Sequence, residues 1–219
     1  MSGIAGQDMP AEPAAKHTVA FFDGQNLFHA ARGAFGYSWP NYNPVALARS
    51  VCADKGWHLI AVRFYTGIPD AADNAFWHHF WTHKLAMLGR QNVHVYSRSL
   101  RYRNKRVRLP DGTAHTFLTG EEKGVDVRIA LDVIRMAHRR AYDVALVFSQ
   151  DQDLSEAAKE IREIAYEQNR WIKVASAFPV SPAAGNRRGI NGTDWIPMRR
   201  GTYDTCLDPR DYRPKGSRR

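Results

Sequence analysis

Apolar runs of strand length alternate with amphipathic stretches of helix length along most of this chain. The β-prone run at 17–22 predicts a buried strand, and 26–34 predicts a helix that stops near Gly36. Asn43-Pro44 sets an N-cap and a first-turn proline for a helix running through Asp54, which Gly56 ends. A second strand is expected at 57–65, a long helix at 70–88 closed by Gly89, and a third strand at 93–100. Beyond position 120 the same rhythm predicts a helix at 121–140, a strand at 142–148, a helix at 155–168 and a fifth strand at 170–178. Strands alternating with helices argue for a parallel sheet covered on both faces.

Positions 101–119 break that rhythm. RYRNKRVRL and TAHTFLT flank Pro110-Asp111-Gly112, whose fixed and left-handed backbone preferences make a hairpin turn. Residues 1–16 are small, proline-containing and without period, and read as a flexible tail. After Pro179 the chain becomes rich in proline, glycine and arginine, with one short element expected around Trp195-Ile196-Pro197. The organisation expected is thus a tail, one domain over 17–178 and a basic extension over 179–219.

Composition narrows the class. At 219 residues, 44% hydrophobic and 24% charged, the chain suits one well-buried domain. Its apolar stretches fall well short of membrane-spanning length, and no signal-peptide pattern opens it. Two cysteines without a C-x-x-C pattern exclude a disulfide framework and a cysteine-ligated zinc site, and the compartment reads as reducing cytoplasm. Thirty-one Lys and Arg against 22 Asp and Glu leave a net charge of +9, which suits a polyanionic partner.

The acids, in contrast, gather at expected strand and helix ends. Asp23 directly follows the first strand, at the sheet edge where open α/β folds build sites, and Gly24 would let a ligand approach the backbone. Asp23 also suits a helix N-cap, and its neighbours favour the metal role. After the fourth strand, Asp151 and Asp153 stand two apart, so in an extended segment both face one ion, with Ser149 able to bond a carboxylate or a metal-bound water. Capping accounts for one of these two acids, and Ser155 is an alternative cap. Asp126 begins an inward helix face continued by Ile129, Ala130 and Val133. Asp132 falls about 120° further round, with Arg128 and Arg135 at ion-pair spacing. Glu121 and Glu122 read as first-turn acids favoured by the helix dipole. Converging carboxylates imply a hard divalent cation.

The hairpin supplies cations. Arg101, Arg103 and Lys105 alternate along one strand face and could track a phosphate backbone while Tyr102 stacks or packs, and Arg106 and Arg108 add to the charge. Lysine and arginine also guard solvated strand edges against aggregation. His79 and His83 have metal-ligand spacing, but no H-E-x-x-H glutamate accompanies them and the aromatics around them suit a packing helix.

FFDGQNL, EKGVDVRIALD and VFSQDQDL, in that order and spacing, resemble the NYN family, the LabA-like branch of PIN-like nucleases, over about residues 17–178. The resemblance implies a PIN-like three-layer α/β/α sandwich with a mainly parallel sheet of about five strands and the basic hairpin as an insertion. It implies a Mg²⁺ or Mn²⁺ site at Asp23, Asp126, Asp151 and Asp153, with Asn26 contacting a phosphate or orienting an acid and Asp132 as a recurrent family acid. The expected activity is metal-dependent cleavage of RNA, an endoribonuclease. A non-catalytic nucleic-acid-binding module and a DNA-directed nuclease are the alternatives. PIN-like domains often pair, so a homodimer is compatible with it. One departure stands out: Gln150 occupies the place where the family's S-G-D pattern has glycine, which could narrow the approach to the last acids.

Overall fold

A computed structural model describes residues 10–216, so residues 1–9 of the expected tail and Ser217, Arg218 and Arg219 lie outside the described residues. In chain order the elements are β1 (His17–Asp23), α1 (Gly24–Phe35), α2 (Pro44–Lys55), β2 (His58–Ile68), α3 (Ala75–Arg90), β3 (His94–Ser99), β4 (Arg101–Arg108), β5 (Ala114–Glu121), α4 (Val125–His138), β6 (Val144–Phe148), α5 (Ser155–Glu167), β7 (Lys173–Pro179), β8 (Asp194–Met198) and α6 (Arg200–Asp204).

Local chemistry explains many of the boundaries. Asn43 caps α2 by accepting the Val45 and Ala46 N–H groups at 3.0 and 3.2 Å, Pro44 opens the helix, and Gly56 closes it at φ 65°. Gly36 ends α1 in the same left-handed conformation, at φ 80°. Two boundaries differ from expectation. Asp70 starts a turn, and α3 begins only after Asn74, whose side chain accepts the Trp77 N–H at 3.1 Å. Glu121 is the last residue of β5, and α4 starts after Gly124, whose φ of 76° breaks the run that sequence periodicity joined to the helix.

The main sheet has six strands in the order β3-β2-β1-β6-β7-β8, every pairing parallel. The sixth is β8, the short element around Ile196, hydrogen-bonded to β7 at the sheet edge. Pro197 is tolerated there because an edge strand has one side that needs no ladder donor.

Alternation along the central strands divides the core in two. Ala20, Phe22, Leu146 and Phe148 point into a cluster with α1, α2, α3 and the chain around α6, where Tyr203, Cys206 and Tyr212 are buried. Val19, Phe21, Ala145 and Val147 point the other way, against Ile129 and Val133 of α4 and Ile161 and Ile164 of α5. This is a three-layer α/β/α sandwich. The antiparallel pair β4–β5 forms a separate two-stranded ribbon outside it. No helix among the described residues is long and apolar enough to cross a membrane.

Candidate functional site

Strand order runs outward from β1 through β2 and β3 on one side, and from β6 through β7 and β8 on the other. The sheet therefore reverses direction of growth between β1 and β6, and a crevice opens at the carboxyl ends of such a pair. Asp23 ends β1, and Ser149-Gln150-Asp151 follows β6.

Asp23 is 5% exposed and uses its two oxygens differently. Oδ1 caps α1 by accepting the Asn26 N–H at 3.0 Å, while Oδ2 accepts the Ser149 hydroxyl at 3.3 Å. The capping and site roles weighed from sequence are thus compatible on one carboxylate. Asn26 Oδ1 in turn accepts the Gln150 N–H at 2.9 Å, and Ser149 Oγ accepts the Asp151 N–H at 3.1 Å. These bonds lace the β1–α1 junction to the turn after β6. Gly24 is needed for packing: a Cβ there would lie 2.7 Å from the Phe64 ring.

Glu122 joins this site from the other side. Its Oε2 accepts the N–H of Gly67, where a Cβ would stand 2.7 Å from that oxygen and collide with Leu100. Burial pushes the Glu122 carboxyl up to about 7, reinforced by the charges of Asp23 and Asp126 and opposed by the Gly67 N–H. Burial likewise pushes Asp23 up to about 6, with the Asp151 and Asp126 charges adding to it and the Asn26 and Ser149 hydrogen bonds working against it. Asp23, Glu122, Asp126 and Asp151 therefore form one electrostatically coupled group.

Sequence reasoning passed over Glu122 as a first-turn acid, although the glycine two residues on marks a break before the helix. Asp126, half-buried in the first turn of α4, stands where the inward face was expected.

Two other acids lie apart. Asp153 is exposed on a single 3₁₀ turn, Gln152–Leu154, and meets Asp151 through its backbone N–H, which donates to Asp151 Oδ1 at 3.0 Å. The rule that places side chains i and i+2 on one face applies to extended backbone, and Gln152–Leu154 is instead a 3₁₀ turn. Leu154, not Ser155, occupies the N-cap position of α5, and no side chain caps it.

Asp132 is 1% exposed at the centre of a cationic cluster. Arg63 and Tyr65 of β2 reach its Oδ2 at 3.0 and 2.9 Å, and Arg128 and Arg135 reach its Oδ1 at 2.9 and 2.8 Å. Burial alone would raise its pKa, but the Tyr65 and Arg63 hydrogen bonds and the Arg63 charge outweigh burial and hold it below the ordinary carboxylate range. The ion-pair role expected from spacing is what the structure displays.

Gln150 does not stand free in the crevice. Its side-chain amide donates to the carbonyls of Asn186 and Arg188 at 3.3 and 2.8 Å, and the Gln152 amide donates to the Gly189 carbonyl at 3.0 Å. The two glutamines latch the loop before β8 against the β6 end of the site.

The donor set suits a hard divalent cation by chemistry: it is all oxygen, and neighbouring carboxylate charges add to the raised pKa values of Asp23 and Glu122. Among the described residues, however, no three His, Cys, Asp or Glu side chains form a group able to hold one ion directly. The fit is to an ion such as Mg²⁺, which keeps several waters and takes one or two protein carboxylates. The His79 and His83 rings lie tilted with centroids 3.9 Å apart, and His83 Nδ1 contacts the His79 carbonyl, while Phe80 and Trp81 of the same helix are buried in the core.

The ribbon β4–β5 presents an exposed basic face. Arg101, Arg103, Lys105 and Val107 alternate along it, opposite Glu121, Thr119, Phe117 and His115. Arg103 pairs with Glu121, while Arg101, Lys105, Arg106 and Arg108 are exposed. Phe117 is 41% exposed beside His115, an aromatic pair that sequence reasoning left out. Tyr102 packs, its hydroxyl accepting the Asp70 N–H at 3.0 Å.

Among solved structures, the chain is similar to a protein of unknown function from Vibrio parahaemolyticus, at 17% identity over 89% of this chain and 96% of that one, with a TM-score of 0.49. It is also similar to a ribokinase from Giardia lamblia, at 10% identity over 84% of this chain and 58% of that one, with a TM-score of 0.39. No curated protein matches it. The NYN domain model matches residues 17–178, the span that carries β1 through β7 and all four coupled carboxylates, and the chain belongs to the NYN domain family of the PIN-like nuclease superfamily.

Proposed function

We propose that this protein is a metal-dependent endoribonuclease whose site is the acidic crevice between β1 and β6. NYN domains are generally nucleases, and PIN-like nucleases generally use divalent metals. The observation that carries the reading is the coupling of Asp23, Glu122, Asp126 and Asp151 at the strand-order reversal of a chain with net charge +9. Such a site repels a phosphate unless a cation stands between, and the surrounding basic surface draws the polyanion in.

Mg²⁺ or Mn²⁺ bound by Asp23 with Asp126 or Asp151 would acidify a bound water and neutralise charge on the phosphate. The protein's own groups do the rest. Ser149 and the Asn26 N–H fix the Asp23 carboxylate, so no reorganisation is needed when substrate arrives. Glu122, with a carboxyl near 7, is matched to accept a proton from an attacking water at neutral pH. Arg101, Arg103 and Lys105 hold the backbone of the nucleic acid, and Phe117 and His115 offer ring faces to its bases. The backbone N–H of Asp153 donates to Asp151 Oδ1 and so helps to orient that carboxylate.

A second reading, a non-catalytic nucleic-acid-binding module, is favoured by one observation: among the described residues, no three acids stand ready to hold one ion. Incubating the protein with end-labelled single-stranded RNA and matched DNA in Mn²⁺, Mg²⁺ or EDTA separates the readings. Metal-dependent RNA fragments support the ribonuclease, and fragments from DNA alone redirect the chemistry to that substrate. Salt-sensitive RNA binding with no product in any metal overturns the ribonuclease in favour of the module.

A further inference from the structure

A cavity of about 260 Å³ lies between the first turns of α1 and the start of α3, next to the acidic crevice. Gln25 joins the two. It lines the cavity, and its side-chain amide donates at 3.3 Å to the carbonyl of Gly67, the residue whose N–H Glu122 holds. Apolar wall comes from Phe28 and Trp77, with ring centroids 5.9 Å apart, and from the buried Trp81. Polar lining comes from His29, Arg32, Ser38 and Asn74, all exposed.

Among the described residues no carboxylate lines the cavity, although Gln25 links it to the acidic crevice. Its volume is below the range of about 300–1,000 Å³ typical of drug-sized ligands, and it suits a single ring system. An aromatic wall, amide and hydroxyl groups at the mouth and one guanidinium are the features that recognise a planar, hydrogen-bonding ring attached to a phosphate.

We propose that this cavity is a nucleobase subsite: the nucleotide adjoining the phosphate at the acidic crevice lodges its base against Trp77, with Arg32 facing its phosphate. The inference rests on the nucleic-acid reading above and adds where, along the strand, a base is read. One nucleotide is then held more firmly than its neighbours, which gives a single strand a register relative to Asp23.

The test is a binding titration with oligoribonucleotides of about eight nucleotides, run in EDTA and again in Ca²⁺ so that turnover does not enter the readout. The intact strand is compared with strands carrying one abasic nucleotide at each position in turn. For the wild type, one abasic position is expected to weaken binding about tenfold while the others change it little. Trp77→Ala is expected to weaken the intact strand by a similar factor and to become indifferent to that position, with Trp77→Phe staying near wild type. Thermal unfolding confirms that each variant is folded. If Trp77→Ala is not, Trp77→Phe and the exposed Arg32→Ala carry the comparison, and Arg32→Ala must weaken the intact strand severalfold.

Equal binding of all abasic strands by the wild type overturns the subsite and leaves the nucleic-acid reading standing. So does a folded Trp77→Ala that keeps the full abasic response. Absence of any oligonucleotide binding overturns both.

Discussion

The backbone N–H of Gln150 donates to the side-chain oxygen of Asn26 at 2.9 Å, bridging the first turn of α1 and the segment that follows β6. These residues are 124 positions apart in the chain, yet the bond sets the spacing between Asp23 and Asp151, which lie three residues before and one residue after its two ends. Removing it should loosen the acids without removing any of them. Asn26→Ala is expected to lower cleavage by about a hundredfold, the scale on which small misplacements act. Its cost in stability should be only about 1 kcal/mol. Single-turnover rates beside thermal unfolding check this, and an unchanged rate would show that the bridge does not position the acids.

The pH dependence of stability has a definite sign at Asp23. Its folded pKa of about 6 lies above the ordinary 3.8, so the folded state binds the proton more tightly between those values. Stability is therefore lost as pH rises through that window, by about 3 kcal/mol in full for a shift of this size. Asp23→Asn keeps an N-cap acceptor and removes the charge. In EDTA the variant should melt higher than wild type at pH 7, and the advantage should vanish below about pH 4. Melting curves across that range check it, and a gain that persists in acid would mean the charge is not the cause.

Metal affinity should follow the same protons. A cation taken up by Asp23 or Glu122 displaces protons held at about 6 and about 7, so Mn²⁺ affinity should rise as pH rises from 5 to 8. Calorimetry in buffers of different ionisation enthalpy measures both the affinity and the protons released. A pH-independent affinity would place the ion elsewhere.

Asp132→Ala should act on folding alone. It leaves Arg63, Arg128 and Arg135 facing one another around a buried site, a change costing about 3 kcal/mol. Denaturant unfolding should show that loss, while cleavage per folded molecule stays near wild type. Lost cleavage at unchanged stability would move Asp132 into the site.

The basic ribbon makes a quantitative salt prediction. Changing Arg101, Arg103 and Lys105 together to alanine removes up to three phosphate contacts, which should lower the logarithmic salt slope of single-strand binding by about 2. An unchanged slope would leave the ribbon as a solvated edge.

How much of this was legible in the sequence depended on how local the cause was. Asn43-Pro44 and Gly56 bounded α2 because capping is decided within one turn, and Asp111 with Gly112 formed the expected hairpin turn, the Asp111 carboxylate accepting the Thr113 N–H at 2.9 Å. Arg128 and Arg135 around Asp132 followed from helical spacing, but Arg63, 69 positions away from it, did not. β8 was read only as a short element because Pro197 and the exposed Trp195 weaken the strand pattern, and pairing with β7 is what makes it a sixth strand. Glu122 was hidden by a helix period that runs through it in the sequence, although α4 starts only at Val125. Gln150 was conspicuous as a departure, but its bonds to the loop before β8 are contacts that only the fold supplies.

In the proposed function the Asp23 carboxylate in the β1–β6 crevice is the heart of a metal-dependent nuclease. The decisive quantity is the rate at which wild type and Asp23→Asn cut end-labelled single-stranded RNA in Mn²⁺, with both proteins shown to be folded. Cleavage by the wild type that EDTA abolishes, and its loss by at least a hundredfold in Asp23→Asn, is the predicted result, the scale of losing a group that stabilises the transition state. Cleavage by Asp23→Asn at the wild-type rate would remove Asp23 from the chemistry.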